Sequence, residues 1–144
     1  MDLSTNAVNT RLAACRIPGL TALLGLLNAS PHSGVIQFYS TPRPAAGATP
    51  AGTLVVAIPL PATAGSVNSG LYQIQLTVPI EAQITGADSG TGTTVTWARV
   101  LDGAGAWFAD VSVSDEAGSG EIKLQTTLLY NGAYCRLTSA VFQG

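Results

Sequence analysis

Residues 71–85, LYQIQLTVPIEAQIT, alternate apolar and polar side chains almost without error. Tyr72, Ile74, Leu76, Val78, Ile80, Ala82 and Ile84 fall on one face; Gln73, Gln75, Thr77, Glu81, Gln83 and Thr85 fall on the other. A period of two is the signature of a strand with one dry face and one wet face. Pro79 lies inside the run and cannot donate to a ladder, so the strand must lie at an edge or carry a bulge there. A chain built around such a segment reads as a β-scaffold that presents surfaces, not as a pocket that performs a reaction.

Length and charge narrow the classes further. The 144 residues fit one domain, long enough to bury roughly two-thirds of the unfolded chain's surface. Charged residues are 10% of the chain, against about 25% in an ordinary globular domain. Thr, Ser, Ala and Gly fill the gap. Such an exterior is cheap to desolvate, which suits burial in an assembly; it also fits a plain Ala/Gly coding bias, and both readings stand. Arg11, Arg16, Arg43, Arg99, Lys123 and Arg136 are scattered and the net charge is -2. Nucleic acid needs clustered cations to displace counterions from phosphates, so it is not an expected partner.

The cysteines, Cys15 and Cys135, have no CxxC or Cys/His spacing. Buried free thiols are the favoured reading, with a disulfide tying the N-terminal segment to the last strand as the alternative. The longest apolar run, residues 20–29, is shorter than the about 20 residues a membrane span needs. No basic segment precedes it to suggest a signal peptide. The expectation is a soluble protein made in a reducing compartment, with no membrane partner.

Residues 1–31 read as a helical arm. Ser4-Thr5-Asn6 offers an N-cap for a short helix over residues 7–14, which Pro18-Gly19 would end. A second segment places Ile17, Leu20, Leu24 and Leu27 on one stripe with Leu23 beside it, an amphipathic helical spacing. Asn28, Ser30 and Pro31 then break it. The stripe needs a cover, either the chain's own β-domain or another subunit.

Residues 32–144 read as the β-domain. Strands are predicted over 34–40, 53–60, 71–85, 93–102, 106–114, 121–130 and 133–143. Pro59 places the end of the second at an edge. The Pro/Ala/Gly-rich stretch 41–52 reads as an extended loop. Gly103-Ala104-Gly105 reads as a hairpin, and Asn131-Gly132 as a type I′ turn with both central residues at positive φ. About seven or eight evenly spaced strands predict an all-β, antiparallel β-sandwich or jelly roll with a short helical N-terminal arm.

Reactive chemistry is sparse. His32, the one histidine, has no nucleophile or carboxylate partner in the pattern, so no triad is predicted. Neither His32 nor the cysteines have zinc-ligand spacing. Asp102 and Asp110 flank one hairpin; Asp115, Glu116 and Glu121 surround another turn. They fit local backbone bonding better than a calcium loop, which needs alternating oxygen ligands. No phosphate-cradling glycine motif is present. Trp97 and Trp107 fall on the apolar faces of their strands, which predicts core packing. No catalytic residue, metal ligand or cofactor is expected, and the chain does not read as an enzyme.

Several short motifs carry a resemblance. Residues 34–44, GVIQFYSTPRP, fit a pattern G-V-I-x-x-Y-S-x-x-x-P; residues 96–102 fit T-W-x-R-V-x-D. Residues 110–113 fit D-x-S-V, residues 124–126 fit L-x-T, and residues 132–139 fit G-x-x-x-x-L/V-T-S. This order resembles small virion proteins encoded in tailed-phage head modules, and more closely β-sandwich capsid cement (decoration) proteins of the kind carried by a Bordetella phage. Thr41 stands where that family commonly has glycine. The resemblance implies a structural role on the capsid exterior after synthesis in the host cytoplasm, binding the major capsid protein and itself as a homodimer or trimer. The segments expected to make contact are the helix bearing Leu20, Leu23, Leu24 and Leu27 and the loop bearing Arg43 and Pro44. The rival reading is a carbohydrate-binding β-sandwich of a tail fibre or baseplate, which needs at least two solvent-facing aromatics. A small hydrolase is the third, and it lacks a general base.

Overall fold

Ser4 opens the helix, its side chain accepting from Ala7 N at 3.2 Å, the N-cap arrangement that satisfies an orphan amide. The computed structural model describes residues 4–28 and 33–144. Helix α1 runs uninterrupted over Thr5–Leu27, where the sequence predicted a short helix ended by Pro18-Gly19 and a separate second segment. Pro18 removes the hydrogen bond to the carbonyl of Ala14, a loss of about 3 kcal/mol in a helix interior. Ala14 and Pro18 are both exposed, so water can satisfy that carbonyl, while packing of the C-terminal half holds the helix together.

The end of α1 is bonded to the β-domain. Gly34 N donates to Leu27 O at 3.0 Å and Gly103 N to Leu26 O at 3.0 Å, satisfying carbonyls that the last turn leaves free. Asn28 Oδ1 accepts from Ala64 N at 2.7 Å. The expected stop at Asn28 is thus observed; Ser30, Pro31 and His32 lie outside the described residues.

Eleven strands follow among the described residues: β1 (Val35–Tyr39), β2 (Leu54–Pro59), β3 (Gly65–Asn68), β4 (Gln73–Leu76), β5 (Ile80–Gln83), β6 (Thr93–Thr94), β7 (Trp97–Leu101), β8 (Trp107–Asp115), β9 (Ile122–Leu124), β10 (Leu128–Leu129) and β11 (Tyr134–Gln143). Eight pair in the order β2-β1-β7-β8-β9-β11-β4-β3, β5 joins β11, and β6 and β10 form a separate ribbon. The protein is therefore mostly β, with one N-terminal helix and a curled mixed sheet. The curl brings β5 round to β2, where Gly86 N donates to Val55 O at 2.9 Å. Ile36, Phe38, Val56, Ile58, Leu124 and Leu137 are fully buried inside it.

Several expectations change, and residues 93–102 and 121–130, each read as one strand, divide into β6 and β7 and into β9 and β10. The 71–85 segment is two strands, not one: it breaks at Thr77–Pro79, with a cis Val78–Pro79 bond, and both halves pair with β11. Leu137 faces Ile80 and Val141 faces Gln75, so the break holds one residue more than β11 does, as Pro79 required. The sheet is not wholly antiparallel, because β8 and β9 run parallel. Residues 116–121 double back along β8, held by Gly120 N to Ser114 Oγ at 3.0 Å and Glu121 N to Ser112 Oγ at 3.1 Å. Periodicity carries no sign of strand direction.

Asn131-Gly132 does not close a two-residue hairpin either. Gly132 has φ 85° and Asn131 is not in the positive region, while β10 pairs with β6 rather than β11. The turn is instead tied to the end of β5, with Gly132 N donating to Ile84 O at 2.8 Å and Ile84 N to Ala133 O at 2.8 Å. The Gly103–Gly105 hairpin between β7 and β8 is as predicted.

Candidate interaction surface

The leucine stripe of α1 divides between two environments. Leu20 and Leu27 are buried and Leu24 is half-buried against the β-domain. Leu23 and Leu26 face outward, 43% and 47% exposed. Beyond Leu20 toward the N-terminus no residue from Ser4 to Gly19 is fully buried. The last anchor on that side is Arg16, whose guanidinium carbon lies 5.3 Å from the centre of the Tyr72 ring. The helix is long and apolar enough by composition to cross a membrane, unlike the run read from sequence. Its free part, however, spans about 22 Å at 1.5 Å per residue, short of the about 30 Å hydrocarbon core.

Beside α1 lies β8, and its first residues break the predicted period. Leu101 faces Trp107 and Val100 faces Ala109, so Phe108 is an extra residue in the ladder. This bulge shifts the phase, and Trp107 stands 48% exposed instead of entering the core. Trp97, by contrast, is buried, though on the face opposite the core residues Ala98 and Val100 rather than among them.

Trp97 belongs to a layer on one face of β1, β7 and β8. The register sets Tyr39 opposite Trp97 and Trp97 opposite Ser112; one step along, Gln37 faces Arg99 and Arg99 faces Asp110. The Tyr39 and Trp97 rings stack with centroids 4.9 Å apart. Arg99 and Asp110 form a two-pronged pair, Nε to Oδ1 at 2.7 Å and Nη2 to Oδ2 at 2.8 Å. The guanidinium holds the Asp110 carboxyl below its ordinary range, and Asp110 in turn raises Arg99. Tyr39 is pushed up by burial. Trp97 Nε1 is buried with no hydrogen-bond partner.

Two depressions flank Trp107. The first, about 430 Å³, runs between α1 and β8; Leu20, Leu23 and Leu26 form one wall, Trp107, Phe108 and Phe142 the other. Its charged lining is acidic throughout: Asp102, Asp110 and Glu121. The second, about 400 Å³, lies between Trp107 and the 41–52 loop and is lined by Arg43, Pro44 and Ala46 with Asp110. Arg43 is exposed and donates to Asp110 O at 3.4 Å, and Pro44 is half-buried. The structure thus brings Leu23, Arg43 and Pro44 around Trp107, while Leu20 and Leu27 are committed to the domain's own packing.

A third hollow of about 600 Å³ sits apart, where Pro59 and Pro79 approach with Glu81 and Arg136. Tyr130 and Tyr134, 40% and 64% exposed, line neither depression at Trp107.

Three further carboxylates serve the backbone. Asp102 accepts from Ala104 N and Ala106 N, both at 2.9 Å. Asp115 accepts from Gly118 N at 3.0 Å, and Glu121 from Ser112 N at 2.7 Å. Among the described residues no three of His, Cys, Asp and Glu gather as a metal site. Cys15 and Cys135 are both free. Cys135 is buried as expected, its thiol pushed up to about 12 by burial, but Cys15 is exposed on α1.

Sequence reasoning missed Trp107 because a bulge leaves no trace in a period-two pattern, and it missed Leu26 because the assigned stripe did not include it. No protein-family model, curated protein or solved structure matches this chain.

Proposed function

We propose that this chain is a structural virion protein: a cement or decoration protein on the outside of a tailed-phage capsid that ties neighbouring major capsid protein subunits together. In this reading the curled sheet is the β-sandwich or jelly-roll body expected of that group. The observation that carries it is the division of α1, anchored at Leu20 and Leu27 and free over its N-terminal half. A firm body with a projecting arm suits repeated docking on a lattice, where multivalency multiplies weak contacts. The low charge density and the motif resemblance support the same reading, and no reaction is proposed.

Co-sedimentation with shells assembled from a candidate major capsid protein tests it. Saturable, stoichiometric binding is expected, reduced when residues 1–15 are removed; absence of binding to mature shells would refute the cement role.

A carbohydrate-binding module of a tail fibre or baseplate is the second reading, favoured by one observation. Trp107 stands half out of the surface beside Arg43 and Asp110, where an aromatic face and polar groups could receive a sugar. A glycan array distinguishes the two: binding abolished by Trp107→Ala supports the sugar site.

A further inference from the structure

β9 is short, and the strands on either side of it are longer. β8 and β11 both pair with Ile122–Leu124, so they stand two strand spacings apart there, about 9–10 Å. Toward the groove beside α1, β8 extends back to Trp107 and β11 on to Gln143. The lane between them carries no strand among the described residues, and Leu20, Leu23 and Leu26 wall it on one side.

The backbone of both banks faces into this lane. Successive peptide groups along a strand point to opposite sides. Val113 N donates to Thr96 O at 3.3 Å, on the β7 side, so Asp110 and Ser112 turn their peptide groups the other way. Gly144 N donates to Tyr72 O at 2.9 Å, on the β4 side, so Val141 and Gln143 turn theirs toward β8. Glu121 fills the near end of the lane: its O accepts from Val141 N at 3.0 Å and its Oε2 from Ser112 N at 2.7 Å. Farther along, Asp110 and Gln143 have no strand partner on this side among the described residues. Arg43 Nη1 reaches Asp110 O only at 3.4 Å. Two open edges across one gap are a template for an added strand.

Side chains define which strand fits. The charged lining of the groove is Asp102, Asp110 and Glu121, and Arg99 already neutralises Asp110. Asp102 is bonded to Ala106 at one end of the lane and Glu121 to Ser112 at the other. Those levels on β8 lie about 20 Å apart at about 3.3 Å per residue. Asp102 accepts through Oδ1 and Glu121 through Oε2, which leaves the second oxygen of each for a cation. Between them the lining is apolar, with Leu23, Leu26, Phe108 and Phe142. We propose that the lane accepts, as an added strand, an extended segment of a different protein, apolar in its middle and bearing Lys or Arg at both ends. A second copy of this chain offers no such strand. Its only cations spaced to reach both carboxylates are Arg11 and Arg16, and both lie in α1. The proposal goes beyond the capsid reading and does not rest on it.

Hydrogen exchange and titration calorimetry on the full chain test it with an end-capped peptide, Lys-Val-Thr-Val-Thr-Val-Lys. This peptide should bind with a Kd below about 1 mM and slow exchange at Asp110 N and Gln143 N. Replacing both Lys by Glu should weaken binding by about tenfold or more. Methylating alternate peptide nitrogens, which blocks strand pairing, should weaken it by about tenfold or more. Asp102→Asn keeps an Oδ1 for Ala104 and Ala106 and should weaken the Lys-ended peptide about threefold. No binding at about 5 mM peptide, or no added protection at those two amides, would overturn the proposal. Equal binding by the methylated peptide would reveal a site for apolar cations without strand addition, and would overturn it too. So would protection of Asp110 N that rises with protein concentration in the absence of peptide, which would put a second copy in the lane.

Discussion

Arg99 and Asp110 face each other across β7 and β8 with two parallel hydrogen bonds of 2.7 and 2.8 Å, and their side chains are only 8% and 5% exposed. Removing one partner leaves a buried charge without compensation, which costs about 3–5 kcal/mol. Asp110→Ala or Arg99→Ala should therefore lower the urea midpoint sharply. The double change to Asp110→Leu and Arg99→Met should recover much of the loss. A double variant no more stable than either single one would contradict this account.

The same pair sets an acid limb. Arg99 depresses Asp110 from its ordinary 3.8, so the unfolded chain takes up that proton first as pH falls. The stability contributed is complete above that ordinary value, declines below it, and is gone once pH passes the depressed folded value. Urea melts between pH about 5 and about 2 should show this slope, and Asp110→Asn should flatten it.

Cys135 predicts the opposite limb. Burial raises its thiol from 9.0 to about 12, so between those values the unfolded chain releases a proton that the folded chain keeps. Stability should fall as pH rises through that window, by at most about 1.4 kcal/mol per pH unit, and Cys135→Ala should remove this component. Thiol titration should find one reactive group in the native protein, Cys15, and two in denaturant. Two fast groups in the native state would contradict the burial of Cys135.

Gly86 marks where the curled sheet meets itself. A Cβ there would collide with Leu54 O and crowd Val55 Cα, both backbone atoms that cannot rotate away. Gly86→Ala should destabilise by about 1–3 kcal/mol, the range for overpacking. Hydrogen exchange should report the loss first at Gly86 N, which bonds Val55 O.

Leu27 and Leu23 sit one helical turn apart and should behave differently. Leu27 is fully buried, so Leu27→Ala should cost about 2–5 kcal/mol in thermal or chemical melts. Leu23 is 43% exposed, and Leu23→Ala should change the monomer by under about 0.5 kcal/mol. Equal costs would mean that α1 docks by another face.

What the sequence determined by itself was whatever depends on local period and local chemistry. Alternation placed Ile74 and Leu76 inside, helical spacing put Leu20 and Leu27 on one stripe that needs a cover, Pro79 announced the break after β4, and the glycines after Asp102 announced the hairpin. These follow from backbone geometry within a few residues. Tertiary structure alone decided the parallel pairing of β8 with β9, the closure at Gly86, the passage of α1 through Pro18 and the outward turn of Trp107. Each depends on a partner far along the chain: β11 and β7 set the pairings, the domain surface holds α1 past its proline, and one extra residue opposite β7 changes the side on which an indole emerges. Period-two and period-3.6 patterns report which face is dry, but not which strand covers it, in which direction, or where the ladder slips by one residue.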